Sequence, residues 1–313
     1  MILSASRRCD IPAHFSNWFY HRIQEGYAYV RNPFSFHQVS RINLSPDVVD
    51  CIVFWSKNPH PMLPRLSVLN EYMYYFQFTL NAYGQEIEPN LPDLTARIRT
   101  FQELAGRLGK RRVLWRYDPV ILTSVYTTAW HQDRFAYLAE RLSDYTETCI
   151  FSFPDLYPSM ARRAAPSGIR PLNGPEKNNV AQALSAIARS YSLGLYTCAE
   201  DIDLSPYQIG HARCIDPFLI SRLLGCDLDW KKDSGQRPGC GCAAAIDLGV
   251  YHTCTHGCVY CYANSKNGPS PARLQAYEET APLLCSRLTA ADRILEPDIK
   301  SGKDPQLRLP FPI

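Results

Sequence analysis

Cys254, Cys258 and Cys261 stand four and three positions apart in the stretch T-C-T-H-G-C-V-Y-C-Y-A-N, Thr253 to Asn264. A short loop can turn all three sulfurs towards one centre, and three thiolates can hold one metal site. Iron–sulfur clusters are usually held by four cysteines, so a run that offers three leaves one iron open to a ligand that is not protein. The competing chemistry is zinc, with His252 or His256 completing a tetrahedral Cys3His set. Four further cysteines, Cys198, Cys214, Cys240 and Cys242, lie in segments that can approach the same place. They could hold a second four-thiolate site, iron–sulfur or zinc, or stand as buried free thiols. Cys51 and Cys149 lie inside apolar runs and read as core.

The loop resembles the cluster loop of the radical S-adenosylmethionine (radical SAM) enzymes, C-x-x-x-C-x-x-C with the aromatic Tyr260 just before the last cysteine. Its extended form, C-T-H-G-C-V-Y-C-Y-A, is most similar to the spore photoproduct lyase and photolyase-like branch. Val53 to Pro59, V-F-W-S-K-N-P, resembles that branch's strand ending in a T-K-S or T-K-N motif. Gln77 to Leu80 with Ile87-Glu88-Pro89, Arg97 and Phe101 to Leu104 is similar to its strand, E-P element and following helix, and Arg116 to Val120 to a strand ending in a proline turn. Over nearly its whole length the chain also resembles a largely bacterial family of unknown function, marked by S-R-R-x-D-I-P, F-W-x-K-N-P, W-R-Y-D-P and C-x-x-G-C-x-Y-C-Y-A-N.

The resemblance implies that Cys254, Cys258 and Cys261 hold a 4Fe–4S cluster whose open iron takes the amino and carboxylate groups of S-adenosylmethionine. The cluster would pass one electron to the sulfonium, and the resulting 5′-deoxyadenosyl radical would take hydrogen from a substrate. Tyr260 would pack near the adenine, while Glu88 and Arg116 would contact the ribose or carboxylate of the cofactor. Cys9, nearer the functional rim than the core cysteines, could return hydrogen to a substrate radical or serve the structure. The electron donor would be a protein such as flavodoxin or ferredoxin. The substrate is unknown, with nucleic acid suggested by the most similar branch. Two other classes stay open: an iron–sulfur protein that carries electrons or senses redox state, and a zinc-stabilised binding module.

With 313 residues, 46% hydrophobic and 20% charged, the chain has ordinary globular usage and room for one α/β barrel. A net charge of +3 is too small to argue for nucleic acid and does not exclude a local basic stripe. Arg7-Arg8 suggests a twin-arginine signal, but Cys9, Asp10, Pro12 and His14 follow where an apolar run is required. No stretch approaches the length of a membrane-spanning helix. Twelve cysteines without a signal peptide are expected to be cytoplasmic thiols.

Short apolar runs alternate with amphipathic segments, the pattern of a parallel sheet flanked by helices. Strands are expected at Ile2 to Ser6, Val48 to Trp55, Tyr74 to Leu80, Val113 to Tyr117, Thr148 to Phe153, Leu195 to Ala199 and Ala243 to Leu248. Between them, Asp10 with Pro12 can open a helix that Gly26 ends. A short helix can span Leu63 to Leu69, and Leu94, Ile98, Phe101, Leu104 and Leu108 line one face of another, stopped by Gly109. Further helices run through Phe135 to Leu142, Val180 to Tyr191, and Asp216-Pro217 to Leu224. Pro154 to Pro175, with Arg162-Arg163 at its centre, reads as a long loop or lid.

The expected architecture is a single (β/α) barrel or partial barrel of radical SAM type over 1–301, with the cluster loop at 250–264 and a tail at 302–313. Crossovers of one hand return each strand parallel to the last, so the functional face lies at the strands' carboxyl ends. That rim would carry Arg7, Arg8 and Asp10, then Ser56, Lys57 and Asn58, then Asn81, Arg116 and Asp118, then Glu200 and Asp201. Most radical SAM enzymes carry the cluster loop after the first strand, and here it follows the last. A circular permutation accounts for this if Ala243 to Leu248 pairs parallel beside Ile2 to Ser6.

Overall fold

Runs that are buried on both faces make parallel strands, because crossover helices cover such a sheet. In the computed structural model, which describes residues 1–304 except 156 and 238, the side chain of residue 159 also set aside, β1 (Ile2–Ala5) is such a run, with all four residues buried. Asp10 then caps α1 (Ile11–His14), accepting from Ala13 N at 3.0 Å, and α2 (Ser16–Glu25) follows after a break at Phe15. Gly26 ends α2 with φ +74°, as expected for a left-handed helix stop.

The chain next forms a hairpin, β2 (Tyr27–Arg31) and β3 (Gln38–Asn43), and returns to the main sheet in β4 (Cys51–Ser56). After a 3-10 segment over His60–Leu69 come β5 (Tyr74–Thr79), α3 (Leu94–Leu108) and β6 (Val113–Tyr117). Asp93 caps α3 through Ala96 N, and Gly109 ends it. Then follow α4 (Thr128–Leu142), β7 (Thr148–Phe151), α5 (Pro158–Ala164) and α6 (Gly174–Ser190). Next come β8 (Gly194–Cys198), β9 (Gly210–Ala212) and α7 (Pro217–Leu224), capped by Asp216 and ended by Gly225. Last are β10 (Ile246–Asp247), α8 (Pro271–Gln275) and β11 (Arg293–Leu295).

Every strand expected from the apolar runs lies in one parallel eight-stranded sheet of order β10-β1-β4-β5-β6-β7-β8-β9. The last strand is shorter than its apolar run, only Ile246–Asp247, and it pairs parallel with β1 at Leu3↔Ile246 and Ser4↔Asp247. The required neighbourhood of first and last strands is therefore present. The edge strands are β10 and β9, and β9 has no apolar run to announce it. A second sheet, β11-β3-β2, has one parallel and one antiparallel pairing and stands outside the expected pattern. The stretch expected as a lid is partly ordered as α5. Of the tail, 305–313 lie outside the described residues.

The two faces of the main sheet are covered differently. Leu3, Ala5, Phe54, Phe76 and Trp115 join the core under the helices, where Trp115 stacks on Phe135 of α4 at 4.8 Å between ring centroids. Ile2, Val53, Tyr75, Leu114 and Ile150 pack instead with Ile215, Ile220, Leu228 and Ala243 from α7 and the segments around it. The chain crosses this face on its way back: Ala243 N donates to Ile215 O at 3.0 Å, and three residues later β10 begins beside β1.

Asp247 fastens that join. Its buried carboxylate accepts from Ser4 Oγ and Ser6 Oγ at 2.6 Å each, from Arg7 N at 2.8 Å and from Gly249 N at 2.9 Å. Position 249 has no room for a side chain, since a Cβ there would fall 1.9 Å from Ser6 Oγ. Asp247→Ala would strand four donors in the core, and we expect it to lower unfolding stability by about 3 kcal/mol. Urea denaturation at neutral pH reads this, and an unchanged midpoint would show that the carboxylate does not hold the join.

Candidate metal centre

The carboxyl ends of the parallel strands open on a cavity of about 550 Å3, within the ordinary size range of small-molecule sites. Cys254, Cys258 and Cys261 all line it. The loop that carries them is tied down from several elements. Val259 N donates to Ile87 O at 3.1 Å, Asn90 N to His256 O at 3.2 Å, and Asn90 Nδ2 to Thr255 O at 2.8 Å. Asn264 Nδ2 closes the loop on itself at Cys254 O, 2.8 Å away. Gly257 has φ +75°, and a Cβ there would stand 2.9 Å from Pro89 Cγ, so glycine is required twice over.

Arg163 of α5 completes the clamp. Its guanidinium donates to the carbonyls of Cys258 (3.0 Å), Cys261 and Asn264. The sequence marked Arg162-Arg163 only as the middle of a loop. The structure places the second arginine against the backbone of two of the three cysteine positions.

Below the loop lies a buried charge network. Glu88 accepts from Lys57 Nζ at 2.8 Å, from Arg97 at 3.3 Å and from the Tyr260 hydroxyl. Burial acts to raise the Glu88 carboxyl, but Lys57 and Arg97 outweigh it and hold it below the usual carboxylate range. Glu88 is fully engaged in this way and does not line the cavity, whereas Tyr260 and Lys57 do. Burial pushes the Cys258 thiol up to about 12, against the pull of Lys57. Burial also raises Cys254, and Cys261 adds to it. Such desolvated thiols become thiolates together with a cation that binds them.

Two histidines flank Cys254. His14 Nε2 is 3.7 Å from Cys254 Sγ, and the His14 and His256 rings lie 4.4 Å apart. His256 Nε2 stands 2.8 Å from Asp10 Oδ2, and its Nδ1 has no hydrogen-bond partner among the described residues. Asp10 thus serves the α1 cap, Lys57 N at 2.8 Å and His256 at once. His14, Cys254 and His256 are the one His/Cys/Asp/Glu set among the described residues whose ligand atoms all lie within 4.8 Å of one another. Burial, with His256 second, pulls the His14 imidazole down to about 4, leaving it neutral at pH 7. Of the two histidines weighed for a zinc site, His256 is in this group and His252 is not; His14 was not foreseen.

The second cysteine set lines the same cavity: Cys198 at the end of β8, Cys214 after β9, and Cys240 and Cys242 before β10. Arg116, expected near a cofactor, lines the cavity beside this set, with NH1 3.1 Å from Cys214 Sγ and Nε 3.0 Å from Asp118 Oδ2. Arg7, Arg8, Asp10, Ser56 and Asp118 reach the cavity, whereas Asn58, Asn81, Glu200 and Asp201 do not line it. Glu200 is occupied instead by Phe153 N and Lys177, both at 2.9 Å. Cys9 lines the cavity as a buried thiol raised to about 12 by burial, and Cys51 and Cys149 are buried in the cores, as expected.

Fold and site together define an α/β protein whose parallel sheet presents a cysteine-lined cavity at its carboxyl edge. The chain belongs to the family described as Domain of unknown function (DUF1848), whose pattern matches residues 2–263 and so includes both cysteine sets. No curated protein matches it. Among the described residues no helix is long and apolar enough to cross a membrane.

The clamp can be tested without any metal. Arg163→Ala should raise amide hydrogen exchange across 258–264 several-fold while exchange in β4, β5 and β6 stays as it was. Unchanged exchange in the loop would mean that the backbone contacts alone hold it.

Proposed function

We propose that the protein is a radical SAM-type enzyme whose primary cofactor is a 4Fe–4S cluster held by Cys254, Cys258 and Cys261, with S-adenosylmethionine as the ligand of the open iron. The observation that carries this is the convergence of the three cysteines on one cavity at the carboxyl edge of a parallel sheet. Among the described residues no two of them join a third ligand within 4.8 Å, whereas the sulfurs of one tetrahedral zinc, with bonds of about 2.3 Å, would stand roughly 3.8 Å apart. Such a spread suits a multi-iron centre better than a single ion. When bound, the pair supplies one-electron cleavage of the sulfonium and a carbon radical for hydrogen abstraction.

The chain's own residues bind and orient. Arg163, Asn90 and Asn264 hold the loop's shape. Lys57 and Tyr260, braced by Glu88, offer a cation and a ring at the cavity wall. In this reading the sheet is a partial barrel of radical SAM type with the cluster unit moved from the first strand to the last. The parallel pairing of β10 with β1 supports the permutation. An electron donor such as flavodoxin or ferredoxin would serve it.

A second reading rests on His14, Cys254 and His256, which stand close enough for one ion. Asp10 on the far nitrogen of His256 is the kind of carboxylate support that metal-bound histidines use. On that reading the loop is a zinc site and the protein a binding module.

Anaerobic reconstitution with iron and sulfide, followed by dithionite and S-adenosylmethionine, separates these. The enzyme reading expects iron and sulfide bound and 5′-deoxyadenosine formed, with product lost when Cys254, Cys258 and Cys261 are replaced by alanine together. An intact cluster without cleavage would favour an electron carrier, and stoichiometric zinc with no sulfide would overturn both iron readings.

A further inference from the structure

Cys198, Cys214, Cys240 and Cys242 all line one part of the chain's cysteine-rich cavity. Cys198 Sγ is 3.1 Å from Cys214 Sγ, and the backbone N–H of Ile215, next to Cys214, points at Cys242 Sγ from 3.4 Å. They come from a strand end, the turn after an edge strand and a Cys-Gly-Cys run, so no local spacing accounts for their meeting. No three of them lie within 4.8 Å of one another, so they are not closed round a single tetrahedral ion with sulfurs roughly 3.8 Å apart, and the 3.1 Å contact of Cys198 with Cys214 has to open for any metal centre to enter.

The polar surroundings are built for sulfur. Arg116 NH1 donates to Cys214 Sγ at 3.1 Å and Ile215 N to Cys242 Sγ at 3.4 Å. The Cys214 carbonyl accepts from Tyr75 OH at 2.7 Å and Gln77 Nε2 at 2.9 Å. Tyr75 and Gln77 are completely buried in the centre of the sheet. A buried glutamine in a central strand has to be satisfied, and here both its ends serve this corner, since its Oε1 faces Arg116 at 3.4 Å.

The geometry points to a second iron–sulfur cluster, ligated by Cys198, Cys214, Cys240 and Cys242 and facing the first site across the shared cavity. With four protein thiolates it has no open iron, so it is a centre for electrons and not for binding S-adenosylmethionine. Its N–H···S bonds from Arg116 and Ile215 are the kind that set a cluster's potential. The proposal does not depend on the first site being a radical SAM centre.

Iron and acid-labile sulfide counted on the reconstituted wild-type chain should give about eight of each, against about four for a single four-iron cluster. The Cys254/Cys258/Cys261→Ala variant should keep about half of that iron, and the Cys198/Cys214/Cys240/Cys242→Ser variant should lose the other half. Adding S-adenosylmethionine should alter the paramagnetic resonance signal of the reduced four-serine variant and leave that of the triple-alanine variant unchanged. Should the first site hold no cluster, the triple-alanine variant would match the wild type while the four-serine variant lost all iron, and the second centre would stand alone. A wild-type count near four that the triple replacement abolishes would overturn the proposal. So would zinc at these cysteines, or a Cys198–Cys214 disulfide in the anaerobically purified chain.

Discussion

A single buried carboxylate, Asp247, decides where the end of the chain goes. It receives two hydroxyls and a backbone N–H from the β1 end and one backbone N–H from its own side. β10 contributes only two paired residues, too few for ladder hydrogen bonds alone to fix a register. The carboxylate supplies the missing specificity, because any slip would bury it without donors. With β10 fixed beside β1, the cysteine loop that follows must emerge at the carboxyl edge, above Asp10 and Lys57.

The rest of the site hangs on the same logic of paying desolvation with pairing. Glu88, Lys57 and Arg97 form a buried cluster whose charges would each be costly alone. Together they brace Tyr260, and through it one side of the cysteine loop. Asp10 does the equivalent on the other side, joining the α1 cap, the turn after β4 and His256. Arg116 with Asp118 and Ser152 does it for the second cysteine set. Each cysteine group therefore sits on a carboxylate-centred network that starts at a strand end. A parallel sheet makes this economical, because all its strand ends point one way.

Much of this was legible from residue order. Asp10, Gly26, Gly109 and Asp216 mark helix limits through local hydrogen bonding and φ preference, and those limits hold in the structure. The apolar runs became strands because both faces of the sheet are covered. What failed to show was whatever lacked a local signature. β9 is Gly-His-Ala, with no apolar run, and exists because Tyr196 to Cys198 offers it an edge to pair with. The hairpin β2–β3 has alternating side chains, Tyr27-Ala28-Tyr29-Val30, a period-two signal unlike the continuous apolar runs of the parallel strands. Arg163 and His14 have no local signature for the site; their contacts with the cysteine loop reach partners about 95 and 240 positions away.

The sequence by itself determined the α/β class, the helix limits, and the identity and spacing of the Cys254, Cys258 and Cys261 loop, since these depend on periodicity, backbone preference and sulfur chemistry within a few residues. Only the tertiary structure decided which side chains share the cavity: that Glu88 lies beneath its wall and Arg116 beside Cys214, that His14 joins His256, and that Cys198, Cys214, Cys240 and Cys242 meet. The reason is physical. Those contacts are set by crossover connections and by the need of buried polar groups for partners, and both bring together residues that the chain itself holds far apart.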